Sequence, residues 1–165
     1  MLALTASGGS SLYGCGDKFL VVSRGTRHQR APLARPSAAI LVYANPESTL
    51  PTALSNLAVD RTLRRAGYHP TSVVSAEELE RALREKTWDV IVAGLAEGQA
   101  IRARLVGRNG PVILPVAYKT PAGVLEEARS EFKLLLRAPV RAEVFLDVID
   151  DAVTLNQKLH GKARN

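Results

Sequence analysis

Three apolar runs, each followed by turn residues and then by a segment with helical spacing, constrain the fold of this chain most. They are Ala38–Tyr43, Trp88–Ala93 and Pro111–Ala117. A strand that is apolar along its whole length is typical of a parallel sheet covered on both faces, because an exposed face would introduce alternate polar residues. Parallel neighbours also need long crossover connections, which helices usually supply. The sequence therefore predicts a parallel sheet with helices on both sides.

Shorter segments complete this pattern. Thr71–Val74 predicts the second strand and Lys133–Leu136 the fifth, with the three apolar runs as strands one, three and four. Apolar spacing near 3.6 residues predicts a helix after each strand. The predicted helices are Leu50–Ala66, Glu77–Lys86, Ala96–Val106, Ala122–Phe132 and Arg141–Leu159. Five βα units fit one α/β domain over residues 38–157.

Local signals predict where several helices begin and end. Gly67 is a helix stop, and Ser75 with Glu78 has the capping-box spacing that opens a helix. Thr120 and Pro121 predict an N-cap and a first helical residue.

Two residues in or next to the predicted strands restrict how those strands can pair. Pro115 has no N–H for a sheet ladder, so we expect it where no donor is required. Asp89 precedes an apolar strand, and we interpret it as a cap at the start of that strand in preference to a buried acid.

The basic charge of the chain lies at its ends. The net charge is +6, of which residues 1–37 carry +4 and the tail, residues 158–165, carries +3, so the body between them is −1. We interpret both ends as solvated charge and expect no specific nucleic-acid partner. The single cysteine and three scattered histidines exclude a disulfide framework and a multi-cysteine zinc site, so no metal or cofactor is predicted.

Residues 1–37 are interpreted as a leader and linker, and their role stays open. Leu12–Cys15 resembles a bacterial lipobox, although the basic and long apolar regions of a secretory signal are missing. Cys15 is therefore either a lipidation site or an incidental thiol. The apolar run at residues 18–23 predicts either an extra strand or part of a remnant export signal. No apolar run approaches the roughly 20 residues that span a bilayer, so no transmembrane helix is predicted.

Residues 38 to about 157 resemble the receiver domain of bacterial response regulators. Four segments carry the resemblance, being similar to the first, third, fourth and fifth strands of that family with their turns. They are Ile40–Pro46, Trp88–Gly94, Pro111–Ala117 and Leu135–Pro139. The resemblance implies a flavodoxin-like fold, a three-layer α/β/α sandwich with a parallel five-stranded sheet in the order 2-1-3-4-5.

The resemblance also implies where phosphotransfer would take place. Receivers hold Mg²⁺ with two acids after the first strand and transfer a phosphoryl group to an aspartate, assisted by a hydroxyl and a lysine. The corresponding positions, called here the phosphotransfer positions, are Ala44 and Asn45 for the acids, Gly94 for the acceptor, Val116 for the hydroxyl and Ala138 for the lysine. None carries the required group. We therefore expect a pseudo-receiver without a catalytic site.

Two functions remain open from the sequence. One is a cytoplasmic signalling module that binds a protein partner or itself without being phosphorylated, and the other is an exported or lipid-anchored bacterial envelope protein that reuses the fold. An enzyme is not expected, because the strand ends carry neither a glycine-rich fingerprint nor a catalytic acid. The resemblance points to the outer faces of the last two helices as the partner surface. Its candidate residues are Glu126, Glu127, Arg129, Asp147 and Asp150.

Overall fold

The computed structural model describes residues 37–105 and 110–162, with side chains up to residue 160. The strands are β1 (Ala39–Tyr43), β2 (His69–Val73), β3 (Val90–Gly94), β4 (Val112–Tyr118) and β5 (Leu136–Ala138). The helices are α1 (Leu50–Ala53), α2 (Val59–Arg65), α3 (Ala76–Glu85), α4 (Leu95–Leu105), α5 (Ala122–Glu131) and α6 (Ala142–Lys162). The predictions for Cys15 and for a strand at residues 18–23 lie outside the described residues.

The strands form one parallel sheet in the order β2-β1-β3-β4-β5. Leu41 of β1 pairs with Thr71 on one side and with Ile91 on the other. At the far side of the sheet, Val116 of β4 lies between Gly94 and Leu136. The predicted parallel sheet and its strand order are confirmed.

Helices cover both faces of this sheet. Alternate strand residues point to opposite faces, so Ile40 packs with α1, α2 and α6 while its neighbour Leu41 packs with α3 and α4. Phe145 of α6 is fully buried on the first face, and Leu125 of α5 packs beneath β4 on the second. The predicted three-layer sandwich is confirmed. Among the described helices, none combines the length and apolar character needed to cross a bilayer.

The single helix predicted over Leu50–Ala66 is wrong, because residues 54–58 form a turn that separates α1 from α2. Leu54 and Leu57 in this turn are still packed on the core. The Asn56 side chain donates from Nδ2 to the carbonyl oxygen of Val140 at 2.9 Å, which ties the turn to the chain before α6. The apolar spacing thus predicted the packing of Leu54 and Leu57 on the core, but it did not show that the backbone turns between the two helices.

The fifth strand begins later than predicted. Its ladder with β4 starts where Leu136 pairs with Val116, the residue after Pro115. Leu134 and Leu135 pack on the apolar clusters without being part of the strand. Pro115 lies inside β4 and pairs with Ala93 of β3, while the β5 ladder begins one residue beyond it, so the expectation for its missing donor stays a prediction.

Two predicted helix starts have different outcomes. Ser75 Oγ accepts from Glu78 N at 3.2 Å, and Glu78 Oε2 accepts from Val74 N at 2.8 Å, so the predicted cap of α3 is confirmed. The predicted N-cap at Thr120 is wrong, because the N-cap of α5 is Pro121 and no side chain caps this helix. The Thr120 hydroxyl instead donates to the carbonyl oxygen of the residue two positions earlier.

Asp89 links three elements at the edge of the sheet where the strands begin, called here the amino edge. Its Oδ2 accepts from Ala39 N at 2.8 Å, which caps the start of β1. Its Oδ1 accepts from Nδ2 of Asn156 in α6 at 3.1 Å. Asn156 is only 3% exposed. Asp89 is therefore a cap at the start of the strands, as interpreted, and also the hydrogen-bond partner of a buried amide.

The substitution Asp89→Ala is expected to lower the free energy of unfolding by about 1 to 3 kcal/mol, because it leaves the buried Nδ2 of Asn156 without an acceptor. Chemical denaturation measures this loss. Asp147→Ala is the matched control, since Asp147 is an exposed acid on α6 and its removal should change stability by less than about 0.5 kcal/mol. Equal stability of the two variants would show that the bridge contributes nothing.

Candidate functional site at the carboxyl edge of the sheet

Three of the phosphotransfer positions lie at one level of the edge where the strands end, called here the carboxyl edge. Gly94, the last residue of β3, pairs directly with Val116 of β4. Ala44 lies two residues beyond Val42, and Val42 pairs with Val92, so Ala44 stands level with Gly94. The structure therefore brings Ala44, Gly94 and Val116 together across three neighbouring strands.

Ala138 lies further along the edge. It pairs with Tyr118, the last residue of β4, which is two residues beyond Val116. Val116 itself is fully buried within β4 rather than exposed at its end. A hydroxyl at position 116 would thus lie inside the strand layer, below the ends of β4 and β5.

Asn45 forms a turn between β1 and α1. Its Oδ1 accepts from Glu47 N at 3.0 Å, and its carbonyl oxygen accepts from Ser48 N at 3.0 Å and from Ser48 Oγ at 2.8 Å. Such a turn is a common use of asparagine, because its side chain can hydrogen-bond to the backbone two residues ahead. The amide oxygen of Asn45 therefore has a structural partner within its own loop.

The space above Gly94 is occupied by Glu97. A Cβ added to Gly94 would collide with Oε2 of Glu97 and would lie 3.7 Å from Thr49 Oγ1. Glu97 belongs to the first turn of α4, which starts directly after β3. A carboxylate is favourable there, since the N-terminus of a helix carries partial positive charge. The acidic group nearest to the acceptor position therefore comes from a helix and not from a strand end.

The sequence analysis did not single out Glu97. The available signal was its spacing, because a residue three positions after a strand that leads directly into a helix lies over the end of that strand. Glu97 could have been predicted to lie there only if the start of α4 at Leu95, one residue earlier than predicted, had been known.

Positive side chains line the neighbouring part of the carboxyl edge. A cavity of about 360 Å³ lies between β4, β5 and α5, with Lys119, Thr120 and Arg137 in its wall. Lys119 has a φ of 50°, a left-handed conformation that is uncommon outside glycine, and its Nζ lies 5.2 Å from the ring centre of Tyr118. No group of three or more histidine, cysteine, aspartate and glutamate side chains among the described residues could hold a metal ion.

The predicted partner residues on α5 are exposed. They are Glu126, Glu127 and Arg129, and Arg129 Nη1 forms an ion pair with Glu126 Oε1. Two apolar side chains in the first turns of the last two helices are also exposed, although the apolar spacing of the last helix predicts Val144 on its inner face. Val124 is 41% exposed in the first turn of α5, and Val144 is 42% exposed in the first turn of α6. Both first turns follow the carboxyl ends of strands, so these apolar groups lie at the carboxyl edge.

The predicted partner residues on α6 differ from one another. Asp147 is exposed, whereas Asp150 is half-buried and its Oδ1 accepts a hydrogen bond from the hydroxyl of Tyr68. Tyr68 is buried and precedes β2, so Asp150 faces the side of the helix that packs on the sheet and α2. Asp150 therefore has a structural contact that the sequence analysis did not anticipate.

The described structure resembles solved structures of known proteins, while no family model and no curated protein sequence matches the chain. A response regulator receiver protein from Burkholderia phymatum is 18% identical with a TM-score of 0.57, covering 72% of this chain and 96% of that one. The receiver domain of a sensor histidine kinase from Pseudomonas aeruginosa, which holds a magnesium ion in its active-site cleft, is 18% identical with a TM-score of 0.52, covering 72% and 98%.

A third similar structure is an adenylate cyclase from Rhodopirellula baltica. It is 19% identical with a TM-score of 0.56, and the match covers 78% of this chain and 96% of that one. The TM-scores show shared architecture, and at these identities the likeness is one of fold alone. The strand order and these likenesses together show that the described part of this chain has the flavodoxin-like fold of response-regulator receiver domains.

Proposed function

We propose that this chain is a signalling module that acts by binding a protein partner and does not take up a phosphoryl group. The receiver fold is the reason for placing it in signalling. The observation that carries the rest of the proposal is Gly94, which stands at the acceptor position with the Glu97 carboxylate in the space above it. Glycine offers no side-chain oxygen to a phosphoryl donor.

The metal-binding positions support the same proposal. Magnesium prefers several oxygen ligands, usually including one or two carboxylates, and it neutralises the charge of the incoming phosphoryl group. Ala44 has no oxygen in its side chain, and the Asn45 amide oxygen already accepts from Glu47 N. The similar receiver from Pseudomonas aeruginosa holds magnesium in its cleft. In this chain the carboxylate that lies over Gly94 is that of Glu97, which belongs to α4.

Glu97 is a poor substitute for the missing acceptor. A lone carboxylate repels a phosphoryl group, which is itself anionic, unless a cation offsets both charges. The cations Lys119, which follows β4, and Arg137, which lies in β5, line the cavity between β4, β5 and α5, whereas the side chains nearest to a Cβ at Gly94 are those of Glu97 and Thr49. We therefore propose that the Glu97 side chain fills the space above Gly94 and does not accept a phosphoryl group.

The other functions considered from the sequence have less support. The likeness to the Rhodopirellula baltica structure is one of fold, and it adds no catalytic group to the carboxyl edge. Export or lipid anchoring depends on Cys15, which lies outside the described residues, so this alternative stays a prediction. We propose a binding function without catalysis.

Incubation with acetyl phosphate, or with beryllofluoride, in the presence of Mg²⁺ is expected to leave the mass, the tryptophan emission and the melting temperature unchanged. A receiver with an intact acceptor aspartate serves as the positive control. A hydroxylamine-labile mass gain of one phosphoryl group would contradict the proposal. Glu97→Gln would then show whether Glu97 is the unexpected acceptor.

We place the partner surface on the first turn of α5 and its exposed charged residues. Val124 and Glu127, three residues apart, lie on one side of α5 and give an exposed apolar group next to a charged one, a combination found at interfaces. Asp150 is left out of this surface because of its hydrogen bond with Tyr68.

Val124→Glu is expected to weaken capture of the native partner without unfolding the domain, because an exposed substitution usually changes stability by less than about 0.5 kcal/mol. Val74→Glu is the control, since Val74 is 49% exposed but follows β2 at the opposite side of the sheet. Melting curves test folding, and a quantitative pull-down from the native host tests binding. Equal capture by both variants would place the partner elsewhere.

A further inference from the structure

We propose that this protein forms a reversible dimer in which α6 packs antiparallel against α6 of a second copy. The contact uses four apolar residues on one side of the helix, called here the α6 stripe, which are Val144, Val148, Leu155 and Leu159. The stripe lies on α6, whereas the partner surface proposed above lies on α5. This inference is therefore independent of the proposed function.

The residues of the α6 stripe share one side of the helix. Their spacing of four, seven and four residues keeps them within about 60° of one another at 3.6 residues per turn. Val144 and Leu159, at the two ends, are 42% and 43% exposed, while Val148 and Leu155 are half-buried against the core. Asp150, which accepts from the Tyr68 hydroxyl, lies on another side of α6. The stripe therefore presents apolar surface that its own domain covers only in part.

The far end of the α6 stripe lies beyond the sheet. The 21 residues of α6 make it about 31 Å long, whereas the five residues of β3 extend about 17 Å. Asn156 is already at the amino edge, where its side chain donates to Asp89. Leu159 follows three residues later, past the level at which the strands begin. A second helix can therefore lie alongside this end of α6.

The order of charges beside the α6 stripe indicates which occupant covers it. Asp147 lies near the start of the stripe and Lys158 near its end, and both are exposed on the same flank. Among the residues that the structure describes, neither of them forms an ion pair. In an antiparallel pair of α6 helices, Asp147 of each copy lies opposite Lys158 of the other, whereas a parallel pair brings like charges together. A second copy in the antiparallel direction is therefore the complementary occupant.

The apolar residues match in the same register. Val144 and Leu159 are equally distant from the middle of the α6 stripe, and so are Val148 and Leu155. Reversing one helix therefore places Val144 against Leu159 and Val148 against Leu155, and each contact occurs twice about the two-fold axis. Asp151 is exposed beside this middle, where its two copies approach each other and their repulsion limits the affinity. A small apolar contact with a charged border is typical of weak, reversible association.

Sedimentation velocity of the full chain over a concentration series tests the proposal. We expect a dimer whose fraction rises with concentration. Leu159→Glu should weaken the dimer at least about tenfold, because it places a carboxylate in both end contacts. Val74→Glu is the matched control, since Val74 is 49% exposed and lies outside α6, and melting curves check that both variants fold. A monomer at every concentration overturns the proposal, and so does equal weakening by the two variants.

Charge reversal tests the antiparallel direction. Asp147→Lys and Lys158→Asp should each weaken the dimer about threefold or more, because each replaces two attractions between copies by two repulsions. Combining them should give a tighter dimer than either single variant. The two residues are 11 positions apart, about 16 Å along one helix, so such a rescue reports contact between copies. If the combined variant associates no more tightly than the single ones, the antiparallel pairing is wrong.

Discussion

Burial of the central strands on both faces is the constraint on which the rest of this structure depends. Ile40, Leu41, Ile91 and Val92 have no exposed surface, so polar chemistry is excluded from the middle of the sheet. Burying them requires a helix layer on each side, and each crossover then returns the chain to the same edge. Functional groups are confined to the two edges of the sheet for this reason.

The fold could be predicted because apolar patterning reports burial, and two-sided burial leaves few architectures. Backbone hydrogen bonding is less visible in the pattern. Leu54 is buried and Leu57 partly buried as their spacing indicates, yet both lie in a turn whose Asn56 side chain bonds to a distant carbonyl group. In the same way, Leu134 and Leu135 are partly buried without pairing in β5. The pattern located the core correctly and misplaced the ends of the elements.

The site was predictable to the extent that its residues follow directly from strand ends. Gly94 and Val116 lie side by side, and Ala44 follows the end of β1 on the other side of β3, because parallel strands end at one edge. Contacts made across the fold were not accessible from local sequence. The hydrogen bond between Tyr68 and Asp150 joins residues that are 82 positions apart in the chain. The hydrogen bond between Asp89 and Asn156 joins residues that are 67 positions apart. No periodicity in the chain encodes such pairs.

The position of Glu97 over Gly94 makes these two residues energetically coupled. An aspartate introduced at position 94 would meet the flexible end of the Glu97 side chain, which can rotate away, but two carboxylates would then share one small space. Repulsion between the two carboxylates makes an aspartate at position 94 less favourable, and this electrostatic cost would be smaller if position 97 were neutral. The effect of any acidic residue at position 94 is thus conditional on position 97, and rebuilding the acceptor in this fold is a problem of two residues rather than one.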